Sequence, residues 1–266
     1  MKRLRVRFAL KGLAPALLLL AAACAGVGSE EKLSVTTRTE AGTTTAPPAG
    51  EVAARKNALV RFVHAVPGLA SVDLFAGDRK AFDGAFYKTV TAYAELPSAS
   101  AVYRLRLAGQ EAGEPLAEEN ESFGTGRHHT VALVPVRASG LLSKGGAAEL
   151  HFLADEFEAP AAGRAKVRVF NASPDLDEVE LYASGRAEPL VRGARFGAAT
   201  AYAEAEPAAA GLEVRRAGEN ITTLNVPGQS VEAGGLYTVF ITGGTKGAAK
   251  LEAFVVEDRL GAAPAR

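Results

Sequence analysis

The sequence predicts an all-β protein: two tandem immunoglobulin-like antiparallel β-sandwich domains behind a signal peptide and a disordered linker. Three observations carry this. From Ala58 on, apolar residues alternate with polar ones in short runs bounded by Gly, Pro, Asp and Ser, the pattern of strands and turns. The run Ala58 to Phe75 recurs as Ala165 to Tyr182 at a constant offset, so the chain repeats itself. Each unit is about a hundred residues long, with about seven strands expected, the size and strand spacing of a sandwich domain. The boundaries follow as 1–23 for a signal peptide, 24–57 for a linker, and 58–157 and 164–262 for the two repeats.

The N-terminal segment differs from the rest. Lys2, Arg3, Arg5, Arg7 and Lys11 precede an apolar stretch from Leu13 to Ala23, followed by Cys24. A basic start, a short apolar centre and small residues before a cut describe a secretory signal. The apolar stretch is short of the roughly 20 residues that a membrane-spanning helix needs. The one cysteine stands directly after Ala21-Ala22-Ala23, an arrangement that resembles a bacterial lipobox, although Leu20 lies four residues before the cysteine rather than three. That resemblance implies acylation at Cys24 and anchoring in a membrane, and Ala25, where Asp favours retention in the inner membrane, implies sorting to the outer membrane. The whole chain is neutral; removing five positive charges and no negative one leaves about −5, which argues against nucleic-acid binding. A single cysteine allows no disulfide within the chain.

Ser29 to Asn57 is small and polar, with no sustained period, and reads as a flexible tether with a reach on the order of 30 Å. Val60, Phe62 and His64 then alternate with Arg61, Val63 and Ala65, and both sets hold apolar side chains, as a strand covered on both sides requires. Pro67-Gly68 ends this strand and Pro174-Asp175 ends its copy. Further along, Thr91 to Glu95 matches Thr200 to Glu204, and Tyr103 to Leu107 loosely matches Leu212 to Arg216. Thr130 to Val134 matches Thr238 to Thr242, and Leu150 to Asp155 is set against Glu252 to Glu257. About nine residues, Asp155 to Gly163, link the copies and include Pro160, from which a restricted hinge is expected.

The strand–turn–strand motif resembles the opening of the domain of unknown function 4397 family, whose members often begin V-R-x-x-H-A-S-P-D, followed by V-D-V-Y. In the first copy Val60, Arg61, His64, Ala65, Pro67, Val72 and Asp73 fit, while Val66 and Gly68 depart from Ser and Asp. In the second, Val167, Arg168, Ala172, Ser173, Pro174, Asp175, Val179 and Tyr182 fit, with Asn171 in place of His and Glu180 in place of Asp. The resemblance spans Ala58 to Leu260. It implies a bacterial extracytoplasmic protein with tandem copies behind a signal, and brings no activity with it.

The polar residues of the motif have structural and functional readings. His64 and Asn171 hold one position and share hydrogen bonding, so each is expected to tie its strand end to the following turn. Arg61 with Asp73, and Arg168 with Glu180, are expected to form cross-strand ion pairs; the alternative is an arginine presented to an acidic ligand. Tyr93 and Tyr202 are placed in strands, each bonding backbone across a corner, the alternative being a ring that stacks on a sugar. His128, His129 and His151 fall in the first copy alone, and neighbouring strand residues face opposite ways, so no metal is expected. No G-x-S-x-G, H-E-x-x-H, P-loop or dinucleotide fingerprint is present, and no catalytic residue or cofactor is proposed. The expected function is a non-enzymatic, lipid-anchored cell-envelope protein whose repeats serve as an interaction or spacer module. A polysaccharide- or peptide-binding surface protein is the alternative, and a hydrolase comes third.

Overall fold

The computed structural model describes residues 57–137, 148–207, 211–245 and 249–258; the signal, Cys24 and the tether lie outside them. These residues form sixteen strands and, among themselves, no helix. The first repeat contributes β1 (Asn57–His64), β2 (Val72–Ala76), β3 (Arg79–Ala85), β4 (Ala94–Pro97), β5 (Ala101–Leu107), β6 (Ala117–Glu121), β7 (His128–Pro135) and β8 (Ala148–Asp155). The second contributes β9 (Ala165–Asn171), β10 (Glu178–Ala183), β11 (Pro189–Arg195), β12 (Ala203–Ala205), β13 (Leu212–Arg216), β14 (Thr222–Val226), β15 (Leu236–Thr242) and β16 (Glu252–Glu257).

Each repeat is a two-sheet sandwich of eight strands rather than seven. In the first repeat the sheets run β4-β1-β7-β8 and β3-β2-β5-β6; in the second, β12-β9-β15-β16 and β11-β10-β13-β14. Pairing is antiparallel except for β1 with β7 and β9 with β15, which run parallel. Long connections through the other sheet make that possible, since a parallel pair cannot be closed by a tight turn.

Alternation sorts the side chains. Val60 and Phe62 of β1 and Val131 and Leu133 of β7 meet Leu74 and Leu105 in the core of the first repeat. Val167, Val169, Val239 and Ile241 meet Leu181 and Val214 in the second. The opposite faces of these same strands are also covered. Val63, Ala65, Ala132 and Val134 from the first repeat share one apolar cluster with Phe170, Ala172 and Phe240 from the second. The sheets holding β1 and β9 are therefore inner layers that pack on each other, and those holding β2 and β10 are outer layers. Every residue of β9 and β15 is buried, as strands covered on both faces require.

The link between the repeats thus does not act as a hinge. A shared, fully buried core holds the two sandwiches together, and the described residues fall within one compact unit.

Candidate functional site

The inner layers also bury charge. Arg61 on β1 and Arg168 on β9 point out of their own sandwiches and into the seam between the repeats. Each donates to an acid of the other repeat, and Arg61 Nε also lies 3.9 Å from Asp155 Oδ2 of its own. Arg61 Nη2 donates to Asp258 Oδ1 at 2.6 Å, and Arg168 Nη2 donates to Asp155 Oδ1 at 2.5 Å. Each arginine side chain is 3% exposed and each aspartate fully buried.

The partners on each side are the same. Arg61 Nε donates to Thr130 Oγ1 at 2.8 Å, and Arg168 Nε to Thr238 Oγ1 at 2.8 Å. Each threonine passes its own proton on, Thr130 to Asp155 and Thr238 to Asp258, both at 2.6 Å. Tyr93 donates to Asp155 Oδ2 and Tyr202 to Asp258 Oδ2, both at 2.7 Å. The guanidinium carbons lie over those rings, 5.1 Å from Tyr93 and 4.6 Å from Tyr202. Two arginines, two aspartates, two threonines and two tyrosines make a closed circuit related by an approximate twofold.

Burial would by itself push Asp155 and the two arginines towards neutrality, and the circuit reverses that. Desolvation raises Asp155, but Arg168 and Arg61 outweigh it and hold the carboxyl below its usual range. Desolvation lowers Arg61, and Tyr93, Asp258 and Asp155 raise it above its ordinary value. Burial also raises both Tyr93 and Tyr202, which keeps them protonated as donors. A buried network of this kind is tolerable only when each member is satisfied.

The rim of the seam is polar. Tyr87 and Lys88 of the first repeat both reach Glu252 of the second, at 2.5 and 2.6 Å. On the other side His151 contacts the Gly197 carbonyl at 2.7 Å, and the Arg137 guanidinium covers Phe196 at 4.6 Å.

A family model described as a domain of unknown function, DUF4397, matches residues 58–182 and 165–266. The chain belongs to the DUF4397 family. No curated protein matches it. A solved structure of a candidate cell adhesion protein from Bacteroides eggerthii is similar at 9% identity, over 77% of this chain and 96% of that one, with a TM-score of 0.18. A likeness that slight bears on neither fold nor function.

The DUF4397 motif residues take up roles that differ in part from those expected. The pairs Arg61–Asp73 and Arg168–Glu180 do not form. β1 and β2 lie in different sheets, and so do β9 and β10, so each arginine faces the seam while each acid faces outward. Asp73 instead accepts the amides of Gly84 and Gly109 and pairs with Lys80 at 2.9 Å. Glu180 takes Tyr182 at 2.7 Å and Arg192 at 3.2 Å. Nor do Tyr93 and Tyr202 bond backbone across a corner. Each precedes its strand, β4 or β12, and donates to a carboxylate. Their neighbours Thr91 and Thr200 supply the ladder instead, their hydroxyls accepting the amides of Phe62 and Val169.

His64 and Asn171 lie on the sandwich side of their strands. His64 Nδ1 accepts the Val66 amide at 3.2 Å, and Asn171 Oδ1 accepts the Ser173 amide at 3.0 Å. Asn171 also donates to the carbonyls of Leu176 and Ala194. Pro67 and Pro174 open the turns that follow. Among the described residues Nε2 of His64 finds no partner of hydrogen-bonding geometry, although the Ala70 carbonyl favours the charged form. Burial dominates and holds this imidazole below its ordinary 6.5. The folded state then binds its proton less tightly than the unfolded chain. Stability from this group is full above pH 6.5 and is lost as pH falls from there towards the folded value. His129, also lowered by burial, adds a contribution of the same sign. His64→Asn, which installs the residue of the second repeat, is expected to flatten the dependence of the urea midpoint on pH between about 5 and 7.5. An unchanged slope would show that His64 does not titrate with folding.

His128, His129 and His151 do not converge. His128 packs against Tyr93 and Phe157, His129 against Phe123, and His151 faces Gly197. Among the described residues no three His, Cys, Asp or Glu side chains group as a metal site. The residues the sequence reading missed are Asp258, as the partner of Arg61, and the two threonines as relays. The repeat alignment sets Asp155 against Glu257. The ladder places Asp258 there, since Thr130 pairs with Leu153 and Thr238 with Val256.

Proposed function

We propose that this DUF4397 protein is a non-enzymatic, lipid-anchored component of the cell envelope, held through Cys24, exported and sorted to the outer membrane, with its paired repeats serving as an interaction or spacer module. The observation that supports this best is the fate of the repeated polar residues. The Arg, Asp, Thr and Tyr found in both copies, which would be the first candidates for catalysis, are engaged with one another in a buried seam. What is left for partners is the outer surface of a rigid double sandwich on a tether. Cys24→Ala is expected to abolish palmitate labelling and to release the protein from the membrane fraction. Labelling that persists in the variant, or a wild-type chain that takes up no label, would sink the anchor. Peptidoglycan pulldown and a glycan array separate a spacer, which binds neither, from the alternative of a polysaccharide-binding surface protein.

A further inference from the structure

The seam obeys two different symmetries. Its charged circuit is reciprocal: Arg61 goes to Asp258 and Arg168 to Asp155, as in the self-complementary interface of a homodimer. Its apolar centre is not. Val63 stands beside Ala132 on β1 and β7, and at the equivalent register Phe170 stands beside Phe240 on β9 and β15. The first repeat offers two small residues where the second offers two rings. Two first repeats set face to face would leave a void, and two second repeats would crowd four rings into the space of two. A further bond runs one way only: Thr242 Oγ1 donates to the Ala65 carbonyl at 2.6 Å, and Val134 holds the equivalent place in the first repeat.

The seam therefore specifies a first repeat with a second repeat, and nothing in it specifies that both come from one chain. The covalent link from Glu156 to Arg164 contributes no member of the circuit. It is nine residues long, and a short link joining two such halves favours exchange between chains.

We propose that the inner face of the first repeat accepts the second repeat of another copy of this chain, so that two chains exchange repeats into a closed, reciprocal dimer. This rests on the interaction-module reading above and adds a second copy of the chain as a partner, met through the inner face and not the outer surface. The linked repeat competes at an effective concentration of about millimolar, so exchange belongs to crowded conditions, such as chains anchored side by side on a membrane.

Charge reversal removes the competing intrachain pairing. In Arg61→Asp the closed chain sets the introduced carboxylate against that of Asp258, like against like, and in Asp258→Arg it sets the introduced guanidinium against Arg61. An exchanged dimer of the two full chains restores each pair that crosses between repeats: reversed at one seam, native at the other. Coexpressed under different affinity tags, the two variants are expected to be captured together at least about tenfold more than either variant with itself, and as a 1:1 dimer by mass. Arg168→Asp with Asp155→Arg forms a second, independent pair with the same expectation. The chain carrying both Arg61→Asp and Asp258→Arg is expected to return to a monomer, its own seam being complementary again. Mixed capture no greater than self-capture in both pairs overturns the proposal, including the case in which the single variants fail to fold and mixing does not rescue them. Because these outcomes do not depend on acylation, loss of mixed capture with intact Cys24-dependent labelling would remove the partner and leave the anchor standing.

Discussion

Replacing Asp155 with alanine is expected to lower the free energy of unfolding by about 3–5 kcal/mol, the cost of stripping one partner from a buried ion pair. Asp155 takes the Arg168 guanidinium on one oxygen and Thr130 and Tyr93 on the other. Without it Arg168 keeps its charge, is 3% exposed, and among the described residues retains only Thr238 and the Ala154 carbonyl as hydrogen-bond acceptors. Because the aspartate belongs to one repeat and the arginine to the other, the loss is expected to move both repeats together, in one denaturant transition seen alike by far-ultraviolet circular dichroism and tyrosine fluorescence. Two separated transitions in the wild-type chain would show that the seam does not couple the sandwiches. Adding Arg168→Met to Asp155→Ala is expected to recover part of the loss, since a filled apolar site costs less than a stranded cation.

The second large effect is expected at Phe240. Its ring is fully buried, 5.6 Å from Phe170 and stacked on Phe254 at 5.1 Å. Phe240→Ala is expected to cost about 3–5 kcal/mol, through lost contact and the cavity left between two sheets that cannot close on it. The converse, Ala132→Phe, is expected to cost about 1–3 kcal/mol by overfilling the same centre. Phe86, 64% exposed, gives the contrast: its truncation is expected to stay within about 0.5 kcal/mol. Urea midpoints of the three variants check the order, and a Phe240→Ala midpoint close to that of Phe86→Ala would deny the shared core its role.

Much of this was legible in the chain. Alternation located β1, β2, β5 and β7 and their copies, and apolar residues at both parities of β1 announced a strand covered on two sides. The strands missed were polar edges. β6, Ala117 to Glu121, carries three glutamates and an asparagine and has no buried residue, so no apolar alternation marks it. The ion pairs were misassigned for a different reason. Nearness in sequence suggested Arg61 with Asp73, but which strands share a sheet is decided by packing, and the true partner lies 197 residues away. The missed acid was a matter of register. With Glu257 set against Asp155, the last strand slips by one residue and every side chain changes face. The signal was present in Glu257-Asp258, two acids in succession, of which only the second shares the parity of Thr238 across the ladder.

The span between Arg61 and Asp258 also bears on the order of events during folding. Synthesis delivers β1 first, yet the acid to which its arginine donates follows the sixteenth strand. Until then the first repeat holds an inner sheet with an uncovered apolar face and an Arg61 that faces only Asp155, at 3.9 Å, and contacts that close so long a loop are slow to form. The early half of the chain is thus expected to wait on the late half, and truncation within the last strand to leave the inner face of the first repeat uncovered as surely as it spoils the second.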